Sequence, residues 1–276
     1  MWGIPDTGAS LYLIKYHISG RVKVKEMTSS KSHIYENDLI TIKQYNEHKV
    51  KIVYQKSCRK SGYEPIGNAK KKGSVNTEKL SCNVDRAKAK VRELVLCNQW
   101  EYWCTFTINP EKYDRYRLKE YMKDFAEFIH NYNRRKEDGV KYLLIPEQHK
   151  DGAWHVHGFI TGIAEKDLYI NTNGYITWKQ YEDKFGYISM KKLGKDIDRL
   201  ASYCTKYMTK DTSKNVQELG AHLYYASQRL KKAEVIFRGH ADVHAKWDWE
   251  HPDGFCKIKT IDTRAVDLGE IIEVLE

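Results

Sequence analysis

Residues 147–157 read Glu147-Gln148-His149-Lys150-Asp151-Gly152-Ala153-Trp154-His155-Val156-His157. Strand-forming runs flank the turn residues Lys150-Asp151-Gly152, Lys141–His149 on one side and Ala153–Thr161 on the other. This pattern predicts a β-hairpin. A turn centred on Asp151 pairs residues whose numbers sum to twice 151. Glu147 then lies opposite His155, at a Cβ separation of roughly 4.5–5.5 Å, and diagonal to His157. A bulge at Gly152 is the alternative and shifts the register by one residue. Side chains alternate along a strand, so His155 and His157 project from one face. Two imidazoles and a carboxylate on one patch of sheet suit a divalent metal with open coordination positions. Open positions admit phosphate oxygens and water, which favours Mg²⁺ or Mn²⁺ acting on a phosphodiester. Two His and one Glu are also a catalytic zinc set. His149 shares the face, nearer the turn, and is a lesser candidate ligand. A His-x-His pair alone is more often an ordinary polar strand face; the converging Glu147 and the basic charge weigh against that reading.

Outward from the hairpin, the chain alternates helical and extended patterns. Trp100–Ile108, WEYWCTFTI, is aromatic and β-branched and reads as a strand ending at Asn109-Pro110. Residues 115–136 carry Leu118, Tyr121, Met122, Phe125, Phe128 and Ile129 at helical spacing. Val84, Ala87, Val91, Leu94 and Val95 predict another helix, with Asn83 as its N-cap. Residues 162–186 show no period and read as a loop or insertion. Tyr187–Lys192 is a short strand, and Lys195–Asp211 a helix with Ile197, Leu200, Ala201, Cys204 and Met208 on one side. Residues 1–56 form a β-rich module of two hairpins, 10–28 about Ser19-Gly20 and 38–56 about Asn46-Glu47-His48. Residues 57–83 form a polar, basic linker containing Lys70-Lys71-Lys72.

The helix over 195–211 contains Tyr203-Cys204-Thr205-Lys206-Tyr207-Met208-Thr209-Lys210, in which Tyr-x-x-Lys occurs twice, offset by four. At about 100° per residue Tyr203, Tyr207 and Lys210 share a face beside the apolar stripe. A phenol ionises near pH 10, so a tyrosine nucleophile needs help, and a lysine one turn along supplies positive charge. The plain alternative is that the tyrosines cover the core edge and the lysines are surface charge.

The 276 residues include 47 Lys+Arg against 37 Asp+Glu, a net charge of +10 that suits an anionic polymer such as nucleic acid and also serves solubility. The absence of any apolar run near 20 residues argues against a membrane span. The first residues lack the features of a signal peptide. Six cysteines with no C-x-x-C pair fit small buried hydrophobes in a reducing compartment, which predicts a cytoplasmic protein. The nearest approach to a P-loop, Gly67–Ser74, has the wrong spacing, so no nucleotide cofactor is expected.

Three motifs together resemble the HUH endonuclease superfamily, in particular phage and prophage rolling-circle replication initiators (Rep proteins). Phe106-Thr107-Ile108-Asn109-Pro110 resembles the first, strand-end motif. His155-Val156-His157 resembles the His-hydrophobic-His signature, with Glu147 matching the third metal ligand. Tyr203-x-x-Lys206-Tyr207-x-x-Lys210 looks like the nucleophile motif of the two-tyrosine phage type. The resemblance covers roughly residues 84–211. It implies an α+β fold, an antiparallel central sheet with flanking helices (an RRM-like palm), here with an N-terminal β-rich extension. It places the endonuclease domain at 84–250, with motifs within 100–211, and leaves 251–276 as a tail. It also implies a chemistry: metal-assisted attack of tyrosine on single-stranded origin DNA, leaving a 5′-phosphotyrosine and a free 3′-OH, then strand transfer. Catalysis falls to Tyr207, Tyr203, Lys206 and Lys210, and Mg²⁺ or Mn²⁺ binding to His155, His157 and Glu147. A host helicase and polymerase are the expected partners. An HUH transposase or relaxase, a non-catalytic DNA-binding regulator, and a metal-dependent hydrolase of small phosphoesters are the competing readings.

Overall fold

The computed structural model describes residues 35–59, 77–134, 136, 138–194, 197–208 and 222–275, with backbone alone for Arg59, 77–82 and Tyr207. The hairpin expected over 10–28, the Lys70-Lys71-Lys72 run and Lys210 lie outside the described residues. The fold is mixed α+β with antiparallel sheets, and the chain divides into two compact units, residues 1–70 with 233–276, and residues 71–232. Among the described residues no helix is long and apolar enough to cross a membrane.

The first unit begins with β1 (Tyr35–Gln44) and β2 (Lys49–Arg59), the hairpin expected about Asn46. The Asn46 side chain accepts from the His48 N–H at 3.0 Å, an Asx turn that closes the loop. Numbered in chain order, the same unit's later strands are β10 (Glu234–Gly239), β11 (Ala241–Val243), β12 (Trp249–Glu250), β13 (Cys256–Asp262) and β14 (Ile272–Val274), with a one-turn helix α5 (Leu268–Ile271). The main sheet runs β10-β1-β2-β13-β12. This corrects the expected boundaries: strands on both sides of residue 250 complete the N-terminal sheet, Phe237 pairing with Ile42 and Lys259 with Ile52. The physical reason is burial. Ile40, Ile42, Val50 and Ile52 make one face of the hairpin apolar, and two strands cannot cover it themselves. Phe237, Ile261 and Leu268, from the far end of the chain, close that core.

The second unit starts with α1 (Thr77–Cys97), so Asn83 lies inside a helix and is not its cap, and the expected linker is helical from Thr77. The apolar period begins only at Val84, but Thr77–Cys82 contains no Gly or Pro to stop the helix earlier. Then follow β3 (Tyr102–Thr107), α2 (Leu118–Asn133), β4 (Lys141–Gln148), β5 (Trp154–Thr161), β6 (Leu168–Ile170), β7 (Ile176–Trp178) and α3 (Lys179–Lys184). After these come β8 (Ile188–Lys192), α4 (Ile197–Cys204), a 3₁₀ turn Thr205–Tyr207, and β9 (Tyr225–Ala226). Seven strands form one antiparallel sheet, β6-β7-β8-β3-β5-β4-β9.

One face of that sheet, with Cys104, Phe106, Leu144, Trp154, Val156, Ile188 and Met190, packs on Tyr121, Met122, Phe125 and Ile129 of α2. Gly158 of β5 falls in the same alternation, and a Cβ there would sit 2.1 Å from the Leu143 carbonyl oxygen, so the position needs glycine. Residues 162–186, expected as a loop, instead carry β6, β7 and α3 and bury Trp178, Tyr181 and Phe185 completely. Elements of three to six residues are too short to show a period, so the apolar positions in this stretch read as scattered. Packing reveals their common direction: the Tyr121 and Tyr181 hydroxyls meet at 2.8 Å inside the core.

Candidate active site

The opposite face of the sheet is built from the alternate residues of the same strands. Trp103, Thr105 and Thr107 of β3 pair with Phe159, His157 and His155 of β5, and on β4 Leu143, Ile145 and Glu147 pair with the same three. α1 packs against β4 and α4, and the ring contact between Trp103 and Tyr203 sets α4 on this face. Leu143, Ile145 and Phe159 are fully buried at one end. Glu147, His155 and His157 at the other end are only partly covered, so the face runs from apolar to polar along the strands.

The tight connection 149–153 sets the register. Gly152 donates to the His149 carbonyl at 2.9 Å, His149 donates to the Ala153 carbonyl at 2.8 Å, and Ala153 donates to the Asp151 carboxylate at 3.0 Å. Gly152 adopts φ +88°, the left-handed region where glycine carries little penalty. Glu147 is directly opposite His155, as a turn centred on Asp151 requires, and no bulge shifts it.

Within this patch Glu147 Oε2 lies 2.7 Å from His157 Nε2, and Thr105 Oγ1 lies 3.1 Å from His157 Nδ1. The His149 and His155 rings are 4.0 Å apart between centroids. Burial lowers the pKa of His157, against the opposing pull of Glu147. Burial also lowers that of His155, and the neighbouring His149, His157 and Arg115 add to the effect. Both imidazoles are thus biased toward the neutral form, which is the form that ligates metal. Two tautomers of His157 satisfy its neighbours. In one, Nε2–H donates to Glu147 and the Thr105 hydroxyl donates to Nδ1. In the other, Nδ1–H donates to Thr105 and Nε2 presents a lone pair. A hydroxyl serves either arrangement because it can donate or accept.

Among the described residues no group of three or more His, Cys, Asp and Glu side chains is arranged to hold a metal ion as it stands. Glu147 is engaged directly with His157, and His155 faces His149. The donor types still fit a divalent cation: neutral imidazoles, a carboxylate across the ladder, and Thr105 able to accept from Nδ1–H once Nε2 ligates.

Tyr203 is 44% exposed, and its ring meets Trp103 edge-on at 5.9 Å. Trp103 in turn stacks parallel to His157 at 6.3 Å. Lys206 Nζ lies 5.8 Å from the Tyr203 ring centroid. The regular helix expected through 211 ends at Cys204, and Thr205–Tyr207 form a 3₁₀ turn in which Met208 N–H bonds the Thr205 carbonyl. The Thr205 hydroxyl bonds the Ser202 carbonyl at 3.0 Å, a local side-chain bond that competes with continuing the helix. The angular relation of Tyr203 to Tyr207 is therefore not the simple α-helical one. The Tyr207 side chain and all of Lys210 lie outside the described residues.

Residues 101–212 match the family model of the replication-associated proteins of the ORF2 type. The match begins at the edge of β3 and spans the hairpin, the histidines and Tyr203; it leaves out the first unit and α1. No curated protein and no solved structure gives a significant match. Over this segment the chain is similar to replication-associated proteins, which makes DNA its partner class. Trp103 and Thr105 were missed as site residues. The period-2 rule held the signal: once 100–108 is a strand paired with β5, every second residue of it shares the face of His155 and His157.

Proposed function

We propose that the chain is an HUH-type rolling-circle replication initiator that cuts and rejoins single-stranded origin DNA through a tyrosine. One observation carries the reading: Glu147, His155 and His157 share one face of the sheet, and Tyr203 reaches that face through Trp103. The replication-associated match over 101–212 supports the biological context. His155, His157 and Glu147 would hold a divalent cation. Mg²⁺ or Mn²⁺ bound there supplies Lewis acidity to a phosphodiester oxygen. For binding, His157 Nε2 gives up its hydrogen bond to Glu147, and Nδ1–H donates to Thr105. A tyrosine oxygen attacks phosphorus as its proton departs to solvent. The bond from phosphorus to the 3′-oxygen breaks, that oxygen is protonated, and a 5′-phosphotyrosine remains. Lys206 places positive charge beside Tyr203, and Lys210 is assigned the same role for Tyr207. Attack of a 3′-OH on the phosphotyrosine rejoins the strand and returns the phenol. Tyr207 is assigned the first cut and Tyr203 the transfer. Unwinding and synthesis are left to a host helicase and polymerase in the cytoplasm.

The test is cleavage of a labelled origin oligonucleotide with Mn²⁺, Mg²⁺ or chelator, followed by mass spectrometry of the protein–DNA adduct. The adduct is expected within 203–207 and absent from Tyr203→Phe/Tyr207→Phe and from His155→Ala/His157→Ala. Full nicking by the double histidine variant, or an adduct mapped elsewhere, sinks the assignment. DNA binding with no cleavage under any metal makes the protein a non-catalytic regulator.

A further inference from the structure

Beside the candidate active site, the end of β8, α4 and Trp103 of β3 enclose a cleft of about 770 Å³, within the roughly 300–1,000 Å³ range of small-ligand sites. Its lining includes Trp103, Tyr203 and four cations, Lys191, Lys192, Arg199 and Lys206, and no acidic residue. All four cations are exposed. Among the described residues no ion pair neutralises Lys191, Lys192 or Lys206. The aromatic part is a built surface. Trp103 is braced edge-on by Phe159 at 4.9 Å and by Tyr203 at 5.9 Å, which fixes the indole plane.

We infer that this cleft is a subsite for an unpaired deoxynucleotide flanking the scissile phosphate, with Trp103 as the base-stacking platform and Lys191 and Lys192 as phosphate contacts. The inference rests on the proposed activity for the identity of its ligand, and it adds residues that the cutting chemistry does not require. A small anion would need the cations alone. An aromatic plane rimmed by uncompensated cations matches the two recurring parts of a single strand, the base face and the phosphate. A base inside a duplex cannot present its face to Trp103, so the cleft discriminates against paired DNA.

The experiment uses the full chain with chelator present, so binding is read apart from cleavage. A single-stranded oligonucleotide bearing 5-iododeoxyuridine is photocrosslinked and the peptide mapped, with a duplex of the same sequence in parallel. Crosslinks to Trp103 or Tyr203 in the single-strand arm are expected. Trp103→Leu should weaken binding of an oligo-dT by about 5-fold or more. Lys191→Ala/Lys192→Ala should lower the slope of log affinity against log salt by about 1.4, at roughly 0.7 per lost phosphate contact. Crosslinks confined to other peptides, no binding of the single strand, or an unchanged salt slope would overturn the subsite. If Trp103→Leu fails to fold, the wild-type crosslink and the lysine slope still decide. Crosslinking at Trp103 without cleavage retains the subsite and rejects the nuclease; cleavage with crosslinks elsewhere does the reverse.

Discussion

The two faces of the seven-stranded sheet use the same strands and differ in what the alternate residues meet. On one face Phe106, Val156 and Leu144 are sealed under α2 and the aromatic side chains of α3. On the other, one residue along each strand, Thr105, His157 and Glu147 form a half-covered polar patch. The first face stabilises the unit by removing apolar area from water, which has little directional requirement. The second depends on specific atoms at specific distances and contributes little burial. The comparison teaches that neighbouring residues here have separable roles, because β geometry sends them to opposite sides.

The sharpest way to break that comparison is the adjacent pair on β3. Phe106→Ala removes a fully buried ring packed on Phe125 and Tyr181 and should cost about 3–5 kcal/mol in chemical denaturation. Thr105→Val, nearly the same shape, should leave the denaturation midpoint almost unchanged. It should lower metal-dependent cleavage roughly 10- to 100-fold, as loss of a ligand-orienting hydrogen bond does. Equal effects on stability from both substitutions would mean the faces are not functionally distinct.

The next largest effect lies inside the sealed face. Tyr121→Phe leaves the buried Tyr181 hydroxyl without its 2.8 Å partner, an expected loss of about 1–3 kcal/mol, while Tyr121→Phe/Tyr181→Phe should be nearly neutral. A double-mutant cycle measures this. Additive losses would show that the hydroxyl pair is not the unit of interaction.

The smallest effect belongs to the polar face. His155 and His157 have folded pKa values lowered below their unfolded value of about 6.5, burial being the leading cause. Below that pH the unfolded chain binds the extra protons, so stability is complete above about pH 6.5 and falls as pH drops toward the folded values. Thermal unfolding between pH 7.5 and 5 should show the decline, and it should shrink in His155→Gln/His157→Gln. An unchanged decline in the variant would assign it to other groups.

Much of the candidate site was legible before any coordinates. The pairing of Glu147 with His155 follows from a short turn and a period of two, both local. The face of α2 with Tyr121, Met122 and Phe125 follows from helical spacing. Residues 162–186 were illegible for the opposite reason: Trp178, Tyr181 and Phe185 sit in separate short pieces that agree in direction only when packed against Phe125 and Phe128.

The sequence by itself determined the hairpin register, the amphipathic helix and the donor types on one strand face, because each depends on hydrogen bonds or side-chain periods spanning a few residues. Tertiary structure alone decided that Phe237 and Ile261 complete the sheet of Ile42 and Val50, about 200 residues away in the chain. It also decided that Trp103 stands between Tyr203 and His157. Such pairings are selected by which apolar faces and open strand edges remain uncovered after local structure has formed, and that competition involves the whole unit at once.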